Sequence, residues 1–201
     1  AIYLDEHVGG HDLMLSTWEL TWQYNSTYYS LWMPEVIEGI GYDFDELYTG
    51  FMATVAVADF SEADYFAQPK MHDTVNELPA SGETPSDAPQ SLGQNFIKFD
   101  ADLGLEGGAL EVTFDGQDGV DWYAVLARGE EHALSDYIAI EIDGDGVGTG
   151  QINFPAGSED VYLIVSPSDD SAVGAHYNWA RADDYEYSWS AALVEEVEEN
   201  N

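Results

Sequence analysis

Beyond Gln94 the apolar side chains recur at every second position, and this restricts what the chain can fold into more than any other feature. Successive side chains of a strand point to opposite faces, so a period of two marks a strand with one face inside. Leu110, Val112 and Phe114 alternate with Glu111 and Thr113. Trp122, Ala124 and Leu126 alternate with Tyr123 and Val125, a run apolar on both faces that suits a central strand. Phe96–Phe99, Tyr137–Ile142, Gln151–Phe154, Val161–Val165 and Tyr185–Ala191 complete the set. Seven or eight short strands separated by Gly and Asp turns predict an antiparallel, jelly-roll-like β-sandwich over 94–194.

Before residue 69 the period is helical. Asp12 can cap a helix running through Leu13, Leu15, Trp18, Leu20 and Trp22, with Gly39 and Gly41 closing the stretch that follows Pro34. Asp43 opens a second helix, because Phe44, Leu47, Tyr48, Phe51, Met52 and Val55 share one helical face. Ser61 begins a short third one. Residues 1–68 therefore read as a helical subdomain, which makes the fold class α+β. Pro69, Pro79, Pro85 and Pro89 fall in 69–93, which reads as an irregular linker. Residues 195–201 form an acidic tail.

The charge sets the environment. The chain carries 40 Asp and Glu against 4 Lys and Arg, a net of −36. Self-repulsion of that size opposes a compact state unless ions screen it. Salt near 1 M shortens the Debye length to about 3 Å, and bound divalent cations would neutralise the charge locally. With only Lys70, Lys98, Arg128 and Arg181 to meet phosphates, nucleic acid and anionic membrane surfaces are excluded as partners. No run of 18 apolar residues exists, so no membrane-inserted helix is expected. Cysteine is absent, which rules out disulfides and thiolate metal sites. The sequence starts at Ala1 without an initiator Met or a signal peptide, so a processed product or a fragment is expected.

Calcium is the cofactor the turns suit. Asp143 and Asp145 alternate with glycines in Asp143-Gly144-Asp145-Gly146, and calcium takes six to eight oxygens from such loops. Phe154 stands where an EF-hand would place its glutamate. An Asp-Gly hairpin turn accounts for the same residues equally well. Asp115, Asp118 and Asp121 form a second acidic turn of the same kind.

No catalytic constellation is complete. His7 and His11 stand four apart, as zinc-protease histidines do on a helix, but Val8 replaces the glutamate base and Gly9-Gly10 disfavours a helix. A loop is expected there. A Ser-His-Asp set built on His72 or His132 lacks a nucleophile-elbow sequence. Most of the six Trp and thirteen Tyr fall at core-periodic positions, so packing is their expected role.

Three stretches resemble the C-terminal half of secreted metalloproteases of the myxobacterial type, distant relatives of immune inhibitor A. They are Gly41-Tyr42-Asp43, then Glu77-Leu78-Pro79 with Pro89 through Ile97, then Asp160 through Ser166 with Tyr185 through Ser188. The likeness spans about 30–194. It implies a secreted, non-catalytic accessory module, since the family's zinc-binding motif has no intact match. The expected function is therefore an extracellular binding module stabilised by salt or calcium. A subunit of an extracellular filament or surface layer is the alternative, with copies of itself or other surface proteins as partners.

Overall fold

The computed structural model describes residues 3–10, 15, 34, 37–62, 69–89, 93–157, 159–168 and 185–195. Nine strands form two sheets: β1 (Met71–Val75), β2 (Ala80–Glu83), β3 (Asn95–Phe99), β4 (Gly108–Gly116), β5 (Asp121–Glu130), β6 (Ala133–Ile140), β7 (Val147–Asn153), β8 (Asp160–Ser168) and β9 (Tyr187–Glu195). One sheet runs β1-β3-β8-β5-β6 and the other β2-β9-β4-β7.

The order follows from a folded hairpin. β5 pairs β6, β4 pairs β7, β3 pairs β8 and β2 pairs β9, all antiparallel. Four strands leading out and four returning have been rolled so that consecutive pairs fall on alternate sheets. This is the eight-stranded jelly roll that the alternation predicts. β1 lies outside the pattern and runs parallel to β3 on the edge of the five-stranded sheet.

The alternating apolar residues meet between the sheets. Phe99, Leu110, Phe114, Leu126, Phe154 and Leu163 are fully buried there. Burying such a side chain contributes roughly 1.5–3 kcal/mol, so this cluster is the main source of stability. Phe114 and Trp122 meet edge to face, with ring centroids 5.3 Å apart.

The second face of the five-stranded sheet is apolar too, and a helix covers it. α1 (Phe44–Val57) sets Met52, Ala53, Ala56 and Val57 against Phe96, Val125, Ala127, Tyr162 and Ile164. That explains why β5 reads as apolar on both faces and why β8 is buried on both. Asp43 caps α1 as predicted, its carboxylate accepting the Glu46 N–H at 2.9 Å. Ahead of it, Gly41 at φ +91° closes the turn around Ile37, whose carbonyl accepts the Tyr42 N–H at 3.2 Å.

Several expectations are corrected. Residues 71–75 and 80–83 are strands, one in each sheet, where an irregular connection was expected. The four prolines flank these strands rather than sit in them, so the ladder hydrogen bonds survive. Ser61 and Glu62 lie in a turn, and the rest of the helix expected from Ser61 lies outside the described residues. Leu4–Val8 forms a single π-helical turn where a loop was expected. β6 ends at Ile140, two residues before the alternation does. Apart from Leu15, the helix expected after Asp12 lies outside the described residues, as do residues 196–201.

Candidate functional site

The two sheets differ in what covers them. α1 occupies the outer face of the five-stranded sheet, whereas among the described residues no element lies on the outer face of the four-stranded one. The register lays that face out in rows of polar groups. Ser81, Ser190, Thr113 and Thr149 stand abreast across all four strands, and the Thr113 and Thr149 hydroxyls are 3.0 Å apart. In the next row toward one end, Glu83, Ser188 and Asp115 stand abreast on β2, β9 and β4.

At that end the face runs into an open groove of about 580 Å³. Thr84, Pro85, Ser86 and Ala88 form one wall, Asp115–Gln117 the other, and Glu186–Ser188 the floor. Five of its main-chain donors are already in use. The Thr84 N–H donates to the Tyr187 carbonyl at 2.8 Å, and Tyr187 N–H returns to the Thr84 hydroxyl. Gly116 N–H donates to the Gly146 carbonyl at 3.0 Å and Gln117 N–H to the Glu186 carbonyl at 2.9 Å. Glu186 N–H donates to the Gln117 side chain at 3.3 Å. By contrast, the carboxylates of Glu83, Asp115 and Glu186 have no hydrogen-bond or ion-pair partner among the described residues. The groove thus offers acceptors and negative charge, with five of its main-chain donors already paired.

The floor is rigid. Tyr187 packs its ring against Phe114 and Trp122, and its hydroxyl accepts a hydrogen bond from Asn95 Nδ2 at 3.2 Å. Burial raises the Tyr187 pKa to about 12, so the phenol stays neutral.

The five aspartates singled out as metal ligands are all exposed and do not gather. Among the described residues no three His, Asp or Glu side chains converge to hold an ion. Asp143 instead organises its own turn. One carboxylate oxygen accepts the N–H of Asp145 at 2.9 Å and of Val147 at 3.0 Å. The turn links β6 in one sheet to β7 in the other, so it is not the hairpin that the Asp-Gly pattern suggested. Gly146, at φ +84°, brings it against Gly116, whose carbonyl oxygen would lie 2.6 Å from any added Cβ. Asp115 shares this end of the sandwich through its pairing with Val147 and lines the groove, while Asp118 and Asp121 bound the β4–β5 turn.

The three described histidines all bond to main chain. His7 Nε2 lies 2.9 Å from the Asp59 carbonyl and His132 Nδ1 lies 3.0 Å from that of Ala58, so both rings donate. His132 N–H also donates to the Val57 carbonyl at 2.7 Å. These groups satisfy carbonyls left open at the end of α1. His72 does the reverse and accepts the Phe96 N–H at 3.1 Å. His11 lies outside the described residues.

The groove was missed by the sequence reading. Its walls come from residues 83–88, 115–117 and 186–188, and only the strand register brings these together.

No protein-family model and no curated protein matches the chain. Two solved structures are similar to parts of it. One is the pre-peptidase C-terminal domain of a collagenase from Bacillus anthracis, 14% identical, with 63% of this chain and 99% of that one covered and a TM-score of 0.39. The other is a periplasmic inhibitor of g-type lysozyme from Aeromonas hydrophila, 17% identical, with 62% and 98% covered and a TM-score of 0.33. At these scores neither decides what this chain does.

Proposed function

We propose that this chain is a non-catalytic binding domain of an extracellular protein, and that the groove docks a donor-rich, cationic segment of its partner. The observation that carries the reading is the imbalance of the groove. Five of its main-chain N–H groups are paired internally, while three carboxylates are left without partners. An anionic ligand would meet repulsion from the three carboxylates, with only the Ser86 and Ser188 hydroxyls and the Gln117 amide of the lining side chains to offset it. A lysine or arginine side chain would find charge-assisted acceptors at hydrogen-bond range, where salt screens least. The bonding of His7, His72 and His132 to main chain supports a structural role for them rather than a catalytic one. The resemblance of residues 160–166 and 185–188 to secreted-protease C-terminal regions points the same way.

The test is a titration with a lysine- and arginine-rich decapeptide, its acidic counterpart and a neutral oligosaccharide in 0.5 M NaCl. Tryptophan fluorescence reads it, because Trp122 and Trp189 pack under Gly116 and Gly82 beside the groove. Only the cationic peptide is expected to bind, and Glu83→Gln with Asp115→Asn to weaken it tenfold or more. Binding that is absent, or unchanged in the double variant, refutes the reading.

One observation favours assembly as a second reading. The five-stranded sheet ends on β1, and a neighbour's strand could extend it there. Light scattering in high salt separates the two, since a monomer leaves only the binding domain.

A further inference from the structure

β1 is held to β3 in an unusual way. The ladder pairs Met71 with Phe96 and then Asp73 with Ile97, so His72 is the extra residue of a bulge. At that point the Phe96 N–H donates to the His72 ring, Nδ1, at 3.1 Å. An amide N–H can only donate. Nδ1 must therefore carry a lone pair, and the ring is neutral with its proton on Nε2.

We infer that His72 is an acid-sensitive latch: neutral, it fastens the edge strand β1 to β3, and protonated, it releases β1 together with the adjoining wall of the groove. Protonation would set two N–H groups against each other and break this tie between the strands beside a new cation.

The surroundings favour the neutral ring. Burial first, and then the nearby Lys70 ammonium, lower the imidazole pKa, while Asp87 opposes them. The other charged groups nearby are occupied. Asp73 accepts the Thr74 N–H at 2.8 Å, and on β3 Lys98 is paired with Asp160 at 2.8 Å. A folded pKa below the ordinary imidazole value, about 6.5, fixes the sign. The latch is fully closed above that value and fails as the pH falls through the lower one.

The groove wall shares these anchors. Asp87 forms an ion pair with Lys70, just before β1, and its carbonyl accepts the Asn95 side chain at 3.2 Å at the start of β3. Asp87 lies between the wall residues Ser86 and Ala88. Loosening β1 removes one of the two ties. The latch itself stands without the groove reading, whereas its effect on a ligand rests on that reading.

Hydrogen exchange by NMR tests it, in 2 M NaCl to hold charge repulsion nearly constant. Between pH 7.5 and pH 5 the protection factor of the Phe96 amide is expected to fall tenfold or more, while that of Leu163 on β8 holds. In His72→Asn, the side-chain Oδ1 can take the place of Nδ1 without titrating, and protection should stay flat. In His72→Ala it should be low throughout. A wild-type amide that keeps its protection at pH 5, or an equal fall in His72→Asn, overturns the latch. Cationic-peptide binding at both pH values then separates the two ideas. Loss at pH 5 in the wild type but not in His72→Asn supports the coupled wall. An Asn-insensitive Phe96 amide with no peptide binding at any pH refutes the groove and leaves the latch standing.

Discussion

Asp143 has a structural role that does not depend on a metal. Its carboxylate accepts two main-chain N–H groups and holds the turn that carries the chain from one sheet to the other. Asn can make the same bonds through Oδ1, and Ala cannot. Asp143→Ala is therefore expected to destabilise the fold by about 1 kcal/mol and Asp143→Asn by much less. A calcium site would be damaged by both, and EDTA would lower the Tm of the wild type alone, so thermal melts of the three proteins decide. The scarce cations can be argued in the same way. Lys98 reaches Asp160 at 2.8 Å and Asp100 at 3.4 Å, and Arg128 Nε lies 2.9 Å from the Glu159 carboxylate. Arg128 also donates to the Asn153 carbonyl at 3.0 Å, crossing from one sheet to the other. Burial by itself would lower the Lys98 pKa, but the bonds to Asp160 and Asp100 override it and raise the value. Asp160 accepts the Ala101 N–H as well, so one acid ties β3, β8 and the loop before β4 together. Lys98→Met leaves a half-buried carboxylate without its partner, and a loss of about 1–2 kcal/mol is expected in urea melts.

At the scale of elements, α1 was legible because its cap and its period agree. Asp43 supplies the cap, and Met52 lies on the apolar face, fully buried. The end of α1 was not legible. It terminates at Ala58 in the left-handed region, φ +55°, a place where glycine is usual. The helix nevertheless stops there because Asp59 N–H closes on the Thr54 carbonyl and two histidines from distant segments take the carbonyls that remain. Ala58→Gly removes the strain of a Cβ in that conformation and is expected to stabilise the protein by about 0.5–1 kcal/mol, read as a higher urea midpoint at unchanged m-value. Gly50 is the opposite case. It sits inside the helix where an added Cβ would collide with the Tyr3 hydroxyl and lie 3.2 Å from that of Tyr137. Sequence spacing cannot announce such an approach, because residues 3, 50 and 137 meet only in the fold. β1 and β2 were hidden for a related reason. They are short edge strands between prolines, with exposed polar side chains such as Asp73, Ser81 and Glu83, so neither shows the alternation that betrayed the inner strands. β5 and β8 betrayed themselves fully, since a strand buried on both faces has no polar side to confuse the pattern.

For the whole molecule the deciding quantity is the net charge of −36. The jelly roll has a dense core, yet its surface carries almost one sign, and the described basic side chains are already engaged by carboxylates. Repulsion must then be balanced by the solvent. Screening changes most where the Debye length is falling from about 10 Å at 0.1 M to about 3 Å at 1 M, and little beyond. The Tm is expected to rise steeply with NaCl up to about 1 M and then to flatten. Strongly excluded salts such as sulfate act through burial instead and would keep raising it. Neutralising six exposed acids, Glu77, Asp102, Glu106, Asp118, Glu141 and Asp145, separates the two causes. If repulsion is the cause, the variant melts higher than the wild type at 0.1 M NaCl, and the curves converge near 1 M. Parallel curves at every salt concentration would show that the acids serve hydration or a partner rather than balance against salt. The same charge bears on assembly. Copies brought edge to edge at β1 or β2 would juxtapose Asp73 or Glu83 with its own counterpart, and both strands are short. Light scattering should therefore give a monomer of 22.1 kDa in 1 M NaCl at pH 7.5. A mass that grows with salt while the latch at His72 is closed would mean that a surface other than these edges joins the copies.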